Sequence, residues 1–337
     1  MKAILAAAAL AVAVVTATPA ANAAEPMMLK FAFTAPPTSW VNTNGADPWL
    51  KDVMADADGT LDIKIFYGTA LGNTSNIYDR TVNGVVEISF GTFGDLAGVF
   101  QKINVATLPF ETKDCTEGAL ALWALYKKGV LADEMGTVRP LVLFAFPGYV
   151  MSSKKSIRSM ADLAGVKIGT TNRVVSQGLQ LLGAVPITLL TSELYQAVQR
   201  DTVKGAIMSW AAISIFKVDE LTKYELDTPF GVGPGYFFMN KDAYARLPAV
   251  AQKAIDKHAG DKLNVQLSKA CLEAGNANRP NLLAHGHTIS ELEPAEAERW
   301  KARVAPITDE WVKATPGGDK VLAAYRQEIA AQRAASR

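Results

Sequence analysis

Apolar and polar residues alternate strictly through Leu61-Asp-Ile-Lys-Ile-Phe66, a pattern that predicts a strand buried on one face. The same reading places a first strand at 29–34, a helix at 48–57 that stops before Gly59, a helix at 75–82 and a strand at 85–90. The rhythm strand–helix–strand–helix–strand predicts parallel pairing with helices on both faces. A longer helix follows at 114–135, with Asp114 as its cap and Gly136 past its end. It leads to a buried strand at 141–146.

The second half repeats the alternation. Strands are predicted at 149–153, 166–168, 186–189 and 204–209, separated by helices at 159–163, 173–182 and 192–199. Strands at 222–228 and 236–240 look as if they return to the first unit, and helical periodicity then dominates 248–277, 294–312 and 319–334. The chain thus passes between two α/β lobes near Phe146 and again near Phe230. A hinge-bent pair of this kind takes its ligand in the crevice between lobes, where closure buries it.

The first residues change the picture. Lys2, an apolar run from Ile4 to Val15 and Ala21-Asn-Ala23 form a cleaved secretory signal over 1–23. The run is shorter than the roughly 20 apolar residues a membrane anchor needs, and no later segment is long and apolar enough to span. Removal leaves about 314 residues, enough for two cores. A formal net charge of +1, with both signs interspersed, argues against a nucleic-acid or anionic-membrane partner. In an oxidising compartment Cys115 and Cys271 can pair, or each can be a small buried hydrophobe among helix formers; sequence leaves both open.

Templates for catalysis are missing: there is no G-x-x-x-x-G-K-[ST], no G-x-S-x-G and no H-E-x-x-H. Gly231-Val-Gly-Pro-Gly235 reads as a chain turn beside the crossing, since Pro234 and the lack of a following helix start do not suit a phosphate cradle. His285-Gly-His287 reads as a solvent-facing linker and His258 as a surface or boundary residue. No metal set converges on them, and no cofactor is implied.

The cadence of Ile157-Arg-Ser-Met-Ala-Asp-Leu-Ala-Gly-Val-Lys-Ile-Gly169, Thr191-Ser-Glu-Leu-Tyr-Gln-Ala-Val-Gln-Arg200 and Val203-Lys-Gly-Ala-Ile-Met-Ser-Trp210 resembles the second lobe of the DctP-type solute-binding proteins of TRAP transporters. Ile65-Phe-Tyr-Gly-Thr-Ala-Leu-Gly72, Val82-Asn-Gly-Val-Val-Glu-Ile-Ser-Phe-Gly91 and Gly235-Tyr-Phe-Phe-Met-Asn-Lys-Asp-Ala-Tyr-Ala-Arg-Leu-Pro248 look like its other blocks. The resemblance implies a two-lobe periplasmic binding protein fold, α/β, with hinge strands and a helical C-terminal region. Lobe 1 would begin at 24–146, lobe 2 would be 147–229, and 230–337 would return to lobe 1 with a long hinge-spanning helix. It also implies a protein of a Gram-negative periplasm that captures a small organic acid without catalysis. The acid would go to the small and large membrane subunits of the permease. A sensory module feeding a receptor kinase is the alternative.

Three departures bear on the ligand. In the family the strand usually reads Lys-Ile-Arg and its arginine clamps the carboxylate, but Gly169 stands there. The second frequent arginine falls at Gly148 or Tyr149, and a Gln-Glu-Asn stretch is replaced by Ala206-Ile207-Met208. Arg173 is then the candidate anion partner, at a helix start with Thr170 and Asn172. Alternatively the ligand is largely apolar. Trp40, Phe90 with Gly91 after it, Tyr149, Met208, Trp210, Phe230 and Tyr236 would then offer an aromatic box. Together these favour a ligand with an apolar or aromatic body and at most one acid group.

Overall fold

The computed structural model describes residues 25–96 and 98–335, so the expected signal lies outside the described residues. The first elements are β1 (Met27–Phe33), α1 (Asp47–Asp56), β2 (Leu61–Tyr67), α2 (Ile77–Val82), β3 (Ile88–Thr92), α3 (Cys115–Lys127) and β4 (Arg139–Ala145). The next are β5 (Tyr149–Ser153), α4 (Met160–Leu163), β6 (Lys167–Thr170), α5 (Arg173–Leu181), β7 (Val185–Thr188), α6 (Thr191–Gln199), β8 (Gly205–Ser209), α7 (Trp210–Ile215) and β9 (Tyr224–Asp227). The last are β10 (Pro234–Met239), α8 (Lys241–Ala245), α9 (Ala249–His258), α10 (Asp261–Ala284), β11 (Thr288–Ser290), α11 (Pro294–Ala314) and α12 (Gly318–Ala335).

Two sheets result. The first has the order β2-β1-β3-β10-β4, with β1 parallel to β2 and β3 as the alternating pattern predicts, and β10 antiparallel to both neighbours. Its core is aromatic: Phe33 stacks on Phe90 at 4.3 Å, and Phe237 meets both edge-on. The second sheet has the order β11-β9-β5-β8-β6-β7. One face packs Ile168, Leu179 and Ile207 beneath α5. The other packs Leu194, Val203 and Met208 against α6 and α7.

Several expectations are corrected. The helix from Asp114 begins as read, with the Asp114 carboxylate accepting from Thr116 and Glu117 N–H, but it stops at Lys127. Gly129, at φ +76°, takes the left-handed position that ends it, so Gly136 has no capping role. The stretch 248–277 is two helices, broken where Gly260 turns to φ +63° and donates its N–H to Leu141 O. β9 does not return to the first sheet; it pairs with β5 and β11 in the second. The short α7 and β11 carry too few residues to show a period.

Two histidines are also reassigned. His287 is buried, with Nδ1 3.0 Å from Glu225 Oε1 and Nε2 3.3 Å from Lys223 Nζ, whereas His285 is exposed. Burial pushes the Glu225 carboxyl up, and the His287 contact opposes that. His258 is buried too, between Asp56 and Lys262. Hydrogen bonds from Lys257 and then His258 hold the Asp56 carboxyl down at about 2. Among the described residues no three metal-capable side chains converge.

The two crossings run side by side. Phe146 N–H donates to Gly233 O at 2.8 Å, and Thr228 donates to Tyr149 O from both its N–H and its hydroxyl. The C-terminal helices touch both sheets. Glu296 of α11 accepts from Met160 N–H at 2.8 Å, and Arg303 donates to Leu181 O, both on the second-sheet side. α12 packs on α3, with Tyr325 bonded to Thr112 and Arg333 forked onto Glu117.

Candidate functional site

Beside the crossings the two sheets present facing groups. On the first-sheet side Trp40 lies edge-on to Phe144 and Phe146, at 6.1 and 6.0 Å. Phe146 in turn meets Phe90 at 6.4 Å. On the second-sheet side the Tyr149 hydroxyl accepts from Asn172 Nδ2 at 3.4 Å. Gly233 joins the two walls: a Cβ there would lie 3.3 Å from the Tyr149 hydroxyl and 3.9 Å from the Phe146 ring. Burial pushes the Tyr149 phenol up to about 12, against the smaller effect of Asn172. It therefore stays an O–H donor through the neutral and mildly alkaline range.

Asn172 is also the cap of α5, accepting from Val175 N–H at 3.1 Å, and Thr170 Oγ1 accepts from Asn172 N–H at 3.2 Å. The expected cap cluster therefore forms. Asn172 and Arg173 line a cavity of about 300 Å³ where both lobes and the end of α11 meet. Gln101, Asn104 and Thr107 face it from the first lobe, Val174 and Gln177 from α5, and Glu310 and Trp311 from α11; Tyr149, Trp40 and Phe146 stand beside the crossings and do not line it. Arg173 is exposed, and its guanidinium makes no hydrogen bond or ion pair within the described residues. A second cavity, about 400 Å³, lies between Phe110-Glu111 and α12. Its two arginines already hold Glu111 and Glu117, so it has no free cation to offer an acid.

The other predicted residues fall elsewhere. Gly169 is buried, and a Cβ there would lie 2.6 Å from Leu194 Cδ2 and 3.5 Å from Val203 Cγ2. The space of a longer side chain is occupied by the α6 core. Met208 is packed in that same core. Gly91 and Tyr236 lie deep in the first sheet. Tyr236 stacks on Phe238 at 4.0 Å, and its hydroxyl lies 2.2 Å from where a Gly91 Cβ would be, so the ring requires glycine there. Phe230 packs on Gly178 of α5 and on Trp300 rather than on the crevice. Trp210 has its indole N–H bonded to Asp227 Oδ1 at 2.7 Å. Phe146 and Gly233 were read from sequence only as parts of the crossings, and Gln101, Gln177 and Trp311 were not read at all, because nothing local marks them; distant segments bring them together.

The chain matches the family described as bacterial extracellular solute-binding protein, family 7 (DctP), over residues 31–314. The protein belongs to that family. Among solved structures it is similar to a TRAP solute-binding protein from Rhodoferax ferrireducens in complex with copurified benzoate. The TM-score is 0.85 at 28% identity, over 92% of this chain and all of that one (100%). A marine-metagenome TRAP solute-binding protein specific for aromatic acid ligands, in complex with 3-hydroxybenzoate, gives a TM-score of 0.85 at 25% identity, covering 90% and 98%. The C4-dicarboxylate-binding periplasmic protein DctP of Rhodobacter capsulatus is 24% identical over 91% of this chain and 92% of its own. Proteins of this family are periplasmic binding proteins, and no helix among the described residues is long and apolar enough to cross a membrane.

Proposed function

We propose that this member of the DctP family captures a small organic monoacid with an apolar or aromatic body in the crevice between its lobes. Closure buries the ligand, and the closed form delivers it to the small and large membrane subunits of a TRAP permease. The signal at 1–23 is cleaved on export to the periplasm, and no covalent chemistry takes place. The observation that carries this reading is the uncommitted guanidinium of Arg173, at the head of α5 where both lobes meet.

A carboxylate removed from water needs donors in place of its hydration, or its burial costs several kcal/mol. Arg173, the first N–H groups of α5, the Asn172 amide and the Tyr149 hydroxyl supply them on one side. Trp40 and Phe146 offer apolar surface on the other, which suits an aromatic body. The aromatic acids held by the two structural neighbours support the same ligand class.

Thermal shift and calorimetric titration with benzoate, 3-hydroxybenzoate, cyclohexanecarboxylate, benzamide and succinate test this, since a ligand that binds the folded state raises Tm. The acids with apolar bodies are expected to stabilise the protein and benzamide is not. Large shifts from succinate alone would sink the proposal. Arg173→Ala is expected to weaken benzoate by about 2 kcal/mol, roughly 30-fold, as for the loss of a charge-assisted hydrogen bond; unchanged affinity removes Arg173 from the site.

Tyr149 gives a pH prediction. Its raised pKa keeps the donor proton in place, so affinity is expected to stay level between pH 7 and 10 rather than fall as an ordinary phenol ionises. Tyr149→Phe is expected to weaken benzoate by about 1 kcal/mol across that range. A wild-type loss of binding near pH 9 that the Phe variant lacks would contradict it.

A further inference from the structure

α11 packs antiparallel on α5 where the lobes meet. Arg303 Nε donates to Leu181 O at the end of α5, and further along α11 the Trp311 indole donates to Gln101 O of the first lobe at 3.3 Å. At about 1.5 Å per residue, 303–310 and 173–181 each cover roughly 10–12 Å, which brings Glu310 level with the head of α5. Ile307, Glu310, Trp311 and Ala314 stand at the i, i+3, i+4 and i+7 spacing of one helix stripe, and all four line the cavity that Arg173 lines. Three of them suit an apolar wall. A carboxylate among them breaks the pattern, and a local rule broken with no structural return marks a functional position.

Glu310 brings no such return. It is exposed and makes no hydrogen bond or ion pair among the described residues, and Lys313, the nearest cation along α11, does not line the cavity. Arg173 is uncommitted in the same way. Two opposite charges thus share a cavity of about 300 Å³ without pairing, each on its own wall.

The helix ends reinforce that division. α5 turns its N-terminus, the positive end of its peptide dipoles, toward the Arg173 wall. α11 ends at Ala314, so Glu310 lies in its closing turns, toward the negative end. Ligand pockets run from roughly 300 to 1,000 Å³. This cavity is at the small end of that range, so an acid group seated on Arg173 leaves the far end of its ligand facing Glu310.

We propose that Glu310 is a specificity-determining residue. It sets the charge allowed at the far end of the ligand, admitting acids whose far end is neutral or carries an ammonium group and turning diacids away. The proposal rests on the ligand reading above and sharpens it: the second carboxylate of a diacid would be placed against a fixed anion that no neighbouring cation offsets. Both groups stay partly hydrated, so the effect is one of moderate size that added salt screens.

The test is calorimetric titration at pH 7 with three acids of one shape: 4-methylbenzoate, 4-(aminomethyl)benzoate and terephthalate. At about 0.01 M salt, where charges act over roughly 30 Å, Glu310→Gln is expected to tighten terephthalate about fivefold and to weaken 4-(aminomethyl)benzoate about fivefold. It is expected to leave 4-methylbenzoate within about twofold. At about 1 M salt, where the range falls to roughly 3 Å, both changes are expected to shrink below about twofold. A packing role for Glu310 would move all three acids together and would not respond to salt. Terephthalate unmoved by Glu310→Gln while wild type binds 4-methylbenzoate overturns the selectivity alone. A loss of more than about tenfold for 4-methylbenzoate in Glu310→Gln also overturns it, because the carboxylate would then be holding the closed form together. Failure of wild type to bind any of the three acids overturns the ligand reading, and the selectivity with it.

Discussion

Gly169→Arg, which places there the arginine that the family resemblance leads one to expect, is expected to lower stability by about 4 kcal/mol and Tm by roughly 10 °C. Two costs combine. The new Cβ would meet Leu194 Cδ2 at 2.6 Å, so α6 must shift or Leu194 must leave a fully buried rotamer. The guanidinium would then enter an apolar layer of Leu194 and Val203 that offers it no acid partner. Adding Leu194→Ala is expected to relieve the overlap but not the charge, recovering only part of the loss. Gly148→Arg makes a direct control, because no atom lies within 4 Å of a Cβ at Gly148 and that position opens beside the crossing. It is expected to fold with Tm within a few degrees of wild type. A stable Gly169→Arg protein that binds acids more tightly would show that the position faces the crevice, and the account of its packing would be wrong.

Removing the disulfide gives the second large effect. The bond closes a loop of 156 residues between α3 and α10. In the chain-entropy model such a loop stabilises by about 5 kcal/mol at most, and native disulfides commonly contribute 2–5 kcal/mol. Cys115→Ala with Cys271→Ala is expected to fall inside that range, with an equal drop in Tm when the wild type is treated with reductant. Chemical unfolding with and without reductant measures it. Two reactive thiols in the untreated native protein, with no response to reductant, would contradict the bond.

The two positions show how far sequence reading reaches. The missing arginine at Gly169 was visible in the strand, but its meaning was not. A glycine in a ligand wall and a glycine under a packed leucine look alike until Leu194, 25 residues on, is placed over it. The cysteines were likewise equally compatible with pairing and with burial, because 156 residues separate them and only the packing of α10 on α3 brings them together.

Within single elements the sequence was sufficient. The β5 bounds and the Asn172 cap both depend on residues within a few positions of one another, where periodicity and side-chain-to-backbone hydrogen bonding decide the outcome. The two-lobe architecture followed from the order of such elements, and the family from the resemblance carried by blocks such as Ile157–Gly169 and Val203–Trp210. Tertiary structure alone decided the end of α3 at Gly129, the break at Gly260, the burial of His287 against Glu225, and the pairing of Arg279 of α10 with Asp227 beside the Trp210 ring. Each of these turns on a left-handed glycine or on a partner far away in the chain. Local pattern has no record of a contact between distant segments, because that contact exists only once both lobes have packed.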